Sequence, residues 1–141
     1  MCLQMQSTLS NIINKDEPII FNKLIINVNP DITYNHNTGY FTINSNGTYY
    51  VKWWANINTC DDEYASFSIK SCKGDDIEGC TTKKEQLCGD AMLSVCDSHL
   101  SFALINNCNS SIGLCPYTNV KANISIFKLS KSYIKSNKLF Y

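Results

Sequence analysis

The side chains of this 141-residue chain that could do chemistry are eight cysteines, two histidines and two acidic clusters. Cys2 stands alone near the start, and Cys60, Cys72, Cys80, Cys88, Cys96, Cys108 and Cys115 lie in the body. Three chemistries fit such a set: a disulfide framework, which is the expected one, a metal site, or scattered reduced thiols. A metal site lacks its usual pattern, because no C-x-x-C pair occurs and only His36 and His99 could add nitrogen ligands. Cys72, Cys80, Cys88 and Cys96 recur every eight residues, which is about one strand plus a turn. Seven body cysteines cannot all pair internally. Cys2 can take the leftover, within its own chain or in a neighbour.

Catalysis finds no constellation. Asp97-Ser98-His99 is not a triad, because adjacent residues cannot align their side chains in that way. Cys-His catalysis needs a thiolate beside an imidazole, and no spacing points to one. G-x-S-x-G, P-loop and dinucleotide motifs are missing. Asp61-Asp62-Glu63 and Asp75-Asp76 with Glu78 could hold calcium with backbone carbonyls, or could simply be solvated loops. Asn46, Asn109 and Asn123 begin sequons, and Asn123 falls inside an expected strand. The expectation is a non-enzyme with no metal and no cofactor.

These residues need a scaffold, and composition bounds it. Apolar residues make up 44% and charged residues 17%, which is globular rather than disordered. The length suits one domain with a real core. Net charge is zero, and every basic residue is lysine. Without arginine forks or a basic surplus, nucleic acid is not an expected partner. No run approaches the roughly 20 apolar residues of a membrane span. Seventeen asparagines and no arginine fit an AT-rich coding sequence of clostridial type. The start lacks a basic and then continuous apolar signal peptide. Oxidisable cysteines without one fit a protein released when its cell lyses, as a sporulating mother cell does, or a chain already mature.

The elements read as β. PIIF, KLIINV, DITY, GYFTI, NGTYYVKWWANI, YASFSIK, AMLSVC, HLSFALINN and NVKANISIFKL are short, β-branched or aromatic runs separated by turns. Asn46-Gly47 suits a turn needing positive φ. Residues 73–90 read as a long polar loop or weak strands. Residues 1–17 read as an arm or connector, either extended around Cys2 and Leu3 or carrying a short helical stripe of Met5, Leu9, Ile12 and Ile13. Strands at this spacing without a long helix predict a sandwich or jelly roll. Three segments are expected: an arm at 1–17, a jelly-roll domain at 18–129 and a tail at 130–141.

The stretch FTINSNGTYYVKW resembles the strand pair of complement-q-type globular heads, members of the tumour necrosis factor-like jelly rolls. That family has an aromatic, five residues, then Gly-x-Tyr-x-Phe-x-aromatic. Phe41, Gly47, Tyr49, Val51 and Trp53 occupy those places, with Val51 where Phe is usual. Tyr34 and Asn29 match positions upstream. LSFALINNCNSS and ANISIFKL look like later strands of the family, so the likeness spans about residues 18–129. The Trp53-Trp54 pair is most similar to the bacterial branch, the C-terminal domains of collagen-like exosporium glycoproteins. No Gly-X-Y stalk is present, and cysteine is far more abundant. A cysteine in a short arm is similar in layout to jelly-roll spore appendage subunits.

The resemblance implies that Tyr49, Val51, Trp53 and Ala55 face the core, with Tyr50, Lys52, Trp54 and Asn56 on the other side. In such trimers a neighbour covers that side, making Tyr50 and Trp54 interface residues; loops of the same chain are the other possible cover. Leu139, Phe140 and Tyr141 would dock on a partner. Lys128, Lys131, Lys135 and Lys138 would be a basic face or merely keep the tail soluble. Cys2 would form an intersubunit disulfide. The expected function is a self-assembling structural subunit, trimeric or polymeric, extracellular on a bacterial spore surface, with itself and other spore-surface proteins as partners. The alternative is a trimeric head that binds a sugar or a host protein.

Overall fold

The computed structural model describes residues 1–60, 65–79, 85–97 and 99–130. Alternating apolar residues make strands, and the strands form two antiparallel sheets with no helix among the described residues. The first sheet has β3 (Lys23–Asn27), β1 (Cys2–Ser7), β12 (Ala122–Ser130) and β6 (Gly47–Cys60) side by side. β9 (Gln86–Val95) pairs with the first part of β6. β11 (Ile112–Leu114) pairs with its end and carries β2 (Ile12–Ile13). The second sheet runs β4 (Ile32–Asn35), β5 (Tyr40–Ile43), β10 (Leu100–Asn106), β7 (Phe67–Ser71) and β8 (Asp76–Glu78). This is the all-β sandwich that the run spacing predicts.

The core lies between the sheets. Tyr49, Val51, Trp53 and Ala55 of β6 are buried from one side, together with Ile124 and Ile126 of β12. Phe41, Phe67, Ile69, Phe102 and Leu104 meet them from the other. Phe41 stacks on Phe102 with ring centroids 5.3 Å apart, and Tyr34 lies 4.4 Å from Phe41. Trp53 meets the Phe67 ring edge-on at 6.1 Å. The indole also lies against two glycines. A Cβ on Gly79 would come within 2.3 Å of Trp53 Cζ2, and one on Gly89 within 2.7 Å.

Several sequence expectations are corrected. Residues 1–17 do not form a separate arm. β1 is inserted between β12 and β3, and Leu3, Met5 and Ser7 are core residues. The alternation in CLQMQS was hidden because glutamine and serine share it with only two apolar residues. PIIF is not a strand; it crosses β10 through a single bridge, Pro18 to Ile105, and buries Ile19 and Phe21. Within 73–90 the strand alternative holds over the loop one: β8 and the first half of β9 are strands, because each has a formed strand to pair with. The 130–141 tail, apart from Ser130, lies outside the described residues.

At one end of the sandwich Asn106 is fully buried, and its amide closes a loop. Its Nδ2 donates to Ile13 O and Ser110 O, both at 2.9 Å. Its Oδ1 accepts from Cys108 N and Sγ, both at 3.0 Å. Replacing Asn106 with alanine is expected to cost about 3 kcal/mol, because a fully buried amide gives up all four of these hydrogen bonds. Urea denaturation followed by circular dichroism measures this.

Candidate functional site

Register decides which side chains share the outward face of the first sheet, since opposed residues of antiparallel strands point the same way. Tyr50 opposes Met92 of β9 on one side and Phe127 of β12 on the other, and Phe127 opposes Cys2 of β1. Met92, Tyr50, Phe127 and Cys2 therefore form one row across four strands. The next row is Asp90, Lys52, Ser125 and Gln4, followed by Cys88, Trp54, Asn123 and Gln6.

The first row is apolar and open. Met92 is 54% exposed and Phe127 39%, with Leu129 of β12 exposed nearby. The Tyr50 and Phe127 rings stack with centroids 6.3 Å apart. The middle row is polar but neutral as a whole, with Lys52 opposite Asp90. Tyr50 donates its hydroxyl to Asp90 Oδ2 at 3.0 Å, and that hydrogen bond holds the phenol above its ordinary titration range. In the third row Asn123 Oδ1 accepts from Gln4 Nε2 at 2.7 Å and from Gln6 Nε2 at 3.2 Å. These bonds brace the face across β1 and β12. Trp54 is half-buried between the strands that carry Cys88 and Asn123. Its own chain covers part of it, and the rest remains on the face.

The other residues expected to do chemistry are dispersed. Cys72, Cys88 and Cys96 are exposed, Cys2 and Cys115 half-buried and Cys108 buried, and none of these six is joined to another. The Cys108 thiol is engaged by Asn106, and Cys72 Sγ accepts from Ser101 N at 3.4 Å. The side chain of Cys60, and Cys80 altogether, lie outside the described residues. His36 and His99 are both exposed. Asp75 Oδ2 accepts from Ser71 Oγ at 2.5 Å, Asp76 pairs with Lys70 at 3.9 Å and Glu78 accepts from Ser66 Oγ at 2.6 Å. Each of these three carboxylates serves its own neighbour, and no group of three metal-ligating side chains forms among the described residues. Asp61, Asp62 and Glu63 lie outside them. No helix of the described residues is long and apolar enough to cross a membrane.

Gly47, Tyr49, Val51 and Trp53 fall on β6 and Phe41 on β5, and the four side chains among them are buried. Gly47 has φ of 150°, and a Cβ there would come within 2.3 Å of Ser130 O. Tyr49 Oη lies 2.5 Å from Ser45 Oγ, and Lys128 Nζ donates to that serine at 3.1 Å. Met92, Phe127 and the Gln4–Gln6–Asn123 brace were missed from sequence. Their strands alternate, but nothing local says that β1, β12, β6 and β9 are neighbours.

The sequence pattern of the C1q domain matches residues 3–107. A comparison with curated proteins finds no match. Among solved structures, the chain is similar to the globular domain of a zebrafish complement 1qA protein. The TM-score is 0.71 at 16% identity, covering 93% of this chain and 98% of that one. It is also similar to an Eiger TNF from S. frugiperda, with TM-score 0.67, 13% identity and 96% of each chain covered. Murine APRIL gives 0.66 at 9% identity, covering 91% of this chain and 98% of that one. At these identities the likeness is one of fold, and the fold is the TNF-like jelly roll.

Proposed function

The chain belongs to the C1q domain family, and from that premise we propose that it is a self-assembling structural subunit. Three copies pack through the outward face of the first sheet, and the assembly forms part of a layer or fibre on a bacterial spore or cell surface. C1q and TNF-like domains typically form homotrimers and act in binding and signalling rather than catalysis. The carrying observation is the apolar row of Met92, Tyr50, Phe127 and Cys2, which runs across four strands with large rings and a thioether left open to water. A surface of this kind on a folded domain is a contact site. Its charges, Lys52 and Asp90, oppose one another, so copies can approach without net repulsion.

Cys2 supplies the covalent part of this reading. It shares the face with Cys88, but β1 and β9 are three strand spacings apart, about 14 Å. A disulfide needs Cα atoms within about 7 Å, so these two thiols cannot join within one chain. With Cys88 out of reach, a Cys2 on this face is placed to bond to another copy that packs against it.

Sedimentation velocity and non-reducing gels test both parts. The expected result is a trimer or larger particle, with covalent species that disappear on reduction or in Cys2→Ser. A monomer at tens of micromolar would remove the assembly reading. Covalent species that persist in Cys2→Ser would remove Cys2 from it. A discrete trimer that never grows further would favour a ligand-binding head over a layer or fibre.

A further inference from the structure

We propose that the cleft between β3 and β4 binds a small amphiphile with an apolar chain and a carboxylate head. β3 and β4 are the last strands of the two sheets on the same side of the sandwich, and they do not pair with each other. The sandwich is open there, and the opening is a cleft of about 660 Å³. That volume lies within the roughly 300–1,000 Å³ of ordinary small-molecule sites. This site goes beyond the assembly reading and does not rest on it.

The cleft has two chemical ends. Its body is aliphatic, with Leu3, Met5, Leu9, Leu24 and Ile32 along it. Leu24 is 56% exposed at the opening. No acidic, lysine or arginine side chain lines the cleft among the described residues. Its polar rim holds more unspent donors than acceptors, although the Thr33 hydroxyl and one imidazole nitrogen of His36 can also accept. Tyr34 Oη already accepts from Phe21 N at 2.8 Å, and its own hydrogen has no acceptor among the described residues. Burial pushes the Tyr34 phenol up, so it keeps that hydrogen through the neutral range. Asn22 spends both ends of its amide on Thr8, at 2.8 Å each. Asn27 Oδ1 is taken by Asn29 N at 3.0 Å. His36 stands at the rim with an imidazole N–H to offer. An apolar chain beside unspent donors suits an oxygen-rich, proton-free head. An ammonium head has only donors and finds fewer partners here than a carboxylate does.

Isothermal titration of the full chain with dodecanoate and with dodecylammonium, both below their micelle concentrations, tests the assignment. Dodecanoate is expected to bind saturably at one per chain, and dodecylammonium about tenfold more weakly or worse. Leu24→Gln, a neutral change at an exposed position, is expected to weaken both. Tyr34→Phe keeps the ring and removes the donor, so it is expected to weaken dodecanoate about tenfold and leave dodecylammonium unchanged. Circular dichroism of each variant confirms the fold. Equal affinity for the two heads, or no saturable binding, would overturn the proposal. So would a Leu24→Gln variant that sediments differently yet binds dodecanoate normally, because the cleft would then be a contact between copies.

Discussion

Gly89→Val is expected to destabilise the fold by about 3 kcal/mol, and by clearly less once Trp53 is removed. Gly89 of β9 lies directly opposite Trp53 of β6. The indole, 1% exposed, occupies the space that a side chain at 89 would need. A Cβ there would lie 2.7 Å from Trp53 Cζ2 and 2.8 Å from Gly79 Cα. Neither neighbour can move aside cheaply: one is a ring packed on Phe67, and the other is backbone. Valine adds two further methyl groups to that clash. In a Trp53→Leu background the indole is gone. Only the contact with the Gly79 Cα then remains, and Gly89→Val is expected to cost about half as much, beyond the several kcal/mol already lost with the tryptophan. Urea denaturation of the four proteins, followed by far-ultraviolet circular dichroism, closes the cycle. Additive losses would show that the glycine is required for some reason other than room for Trp53.

Phe127→Asp is expected to leave the fold intact and turn the assembly into monomers. Phe127 contributes little to the core, being 39% exposed on the outward side of β12. Its ring lies between Tyr50 and Cys2 in the apolar row. A carboxylate there would be buried once per subunit when copies pack on that face, with no cation opposite it in the row. Leaving a charge unpaired in an interface costs several kcal/mol, so self-association should weaken by about a hundredfold or more. Sedimentation equilibrium measures the change. Tyr117→Asp is the control, since Tyr117 is 88% exposed in the loop before β12, away from the row, and is expected to have no effect. Assembly unchanged by Phe127→Asp would mean that copies meet elsewhere on the molecule.

The strands with dense apolar alternation were readable directly. GTYYVKWWANI shows its two faces residue by residue, and β6 buries Tyr49, Val51 and Trp53 while turning Tyr50, Lys52 and Trp54 outward. KLIIN, ITYN and YFTI lie on β3, β4 and β5. Weakly apolar strands were not readable. QLCGD in β9 resembles a loop until β6 stands beside it, and the glycine that looks like a turn residue is instead room for an indole. CLQMQS resembles a free arm because its glutamines give no apolar stripe, yet those glutamines brace Asn123 across two strands.

Alternation and turn chemistry are local properties, so the sequence by itself determined an all-β sandwich, the face on which each β6 side chain lies, and the lack of any catalytic motif. Adjacency between strands is not local. Cys2 lies beside Phe127, and Tyr50 beside Met92, only because β1, β12, β6 and β9 come together in the folded sheet. The tertiary structure alone decided which residues share the outward apolar face and that the sheets part at β3 and β4. Backbone hydrogen bonding joins any two strands equally well, and the choice among pairings is made by how all the buried side chains fit at once.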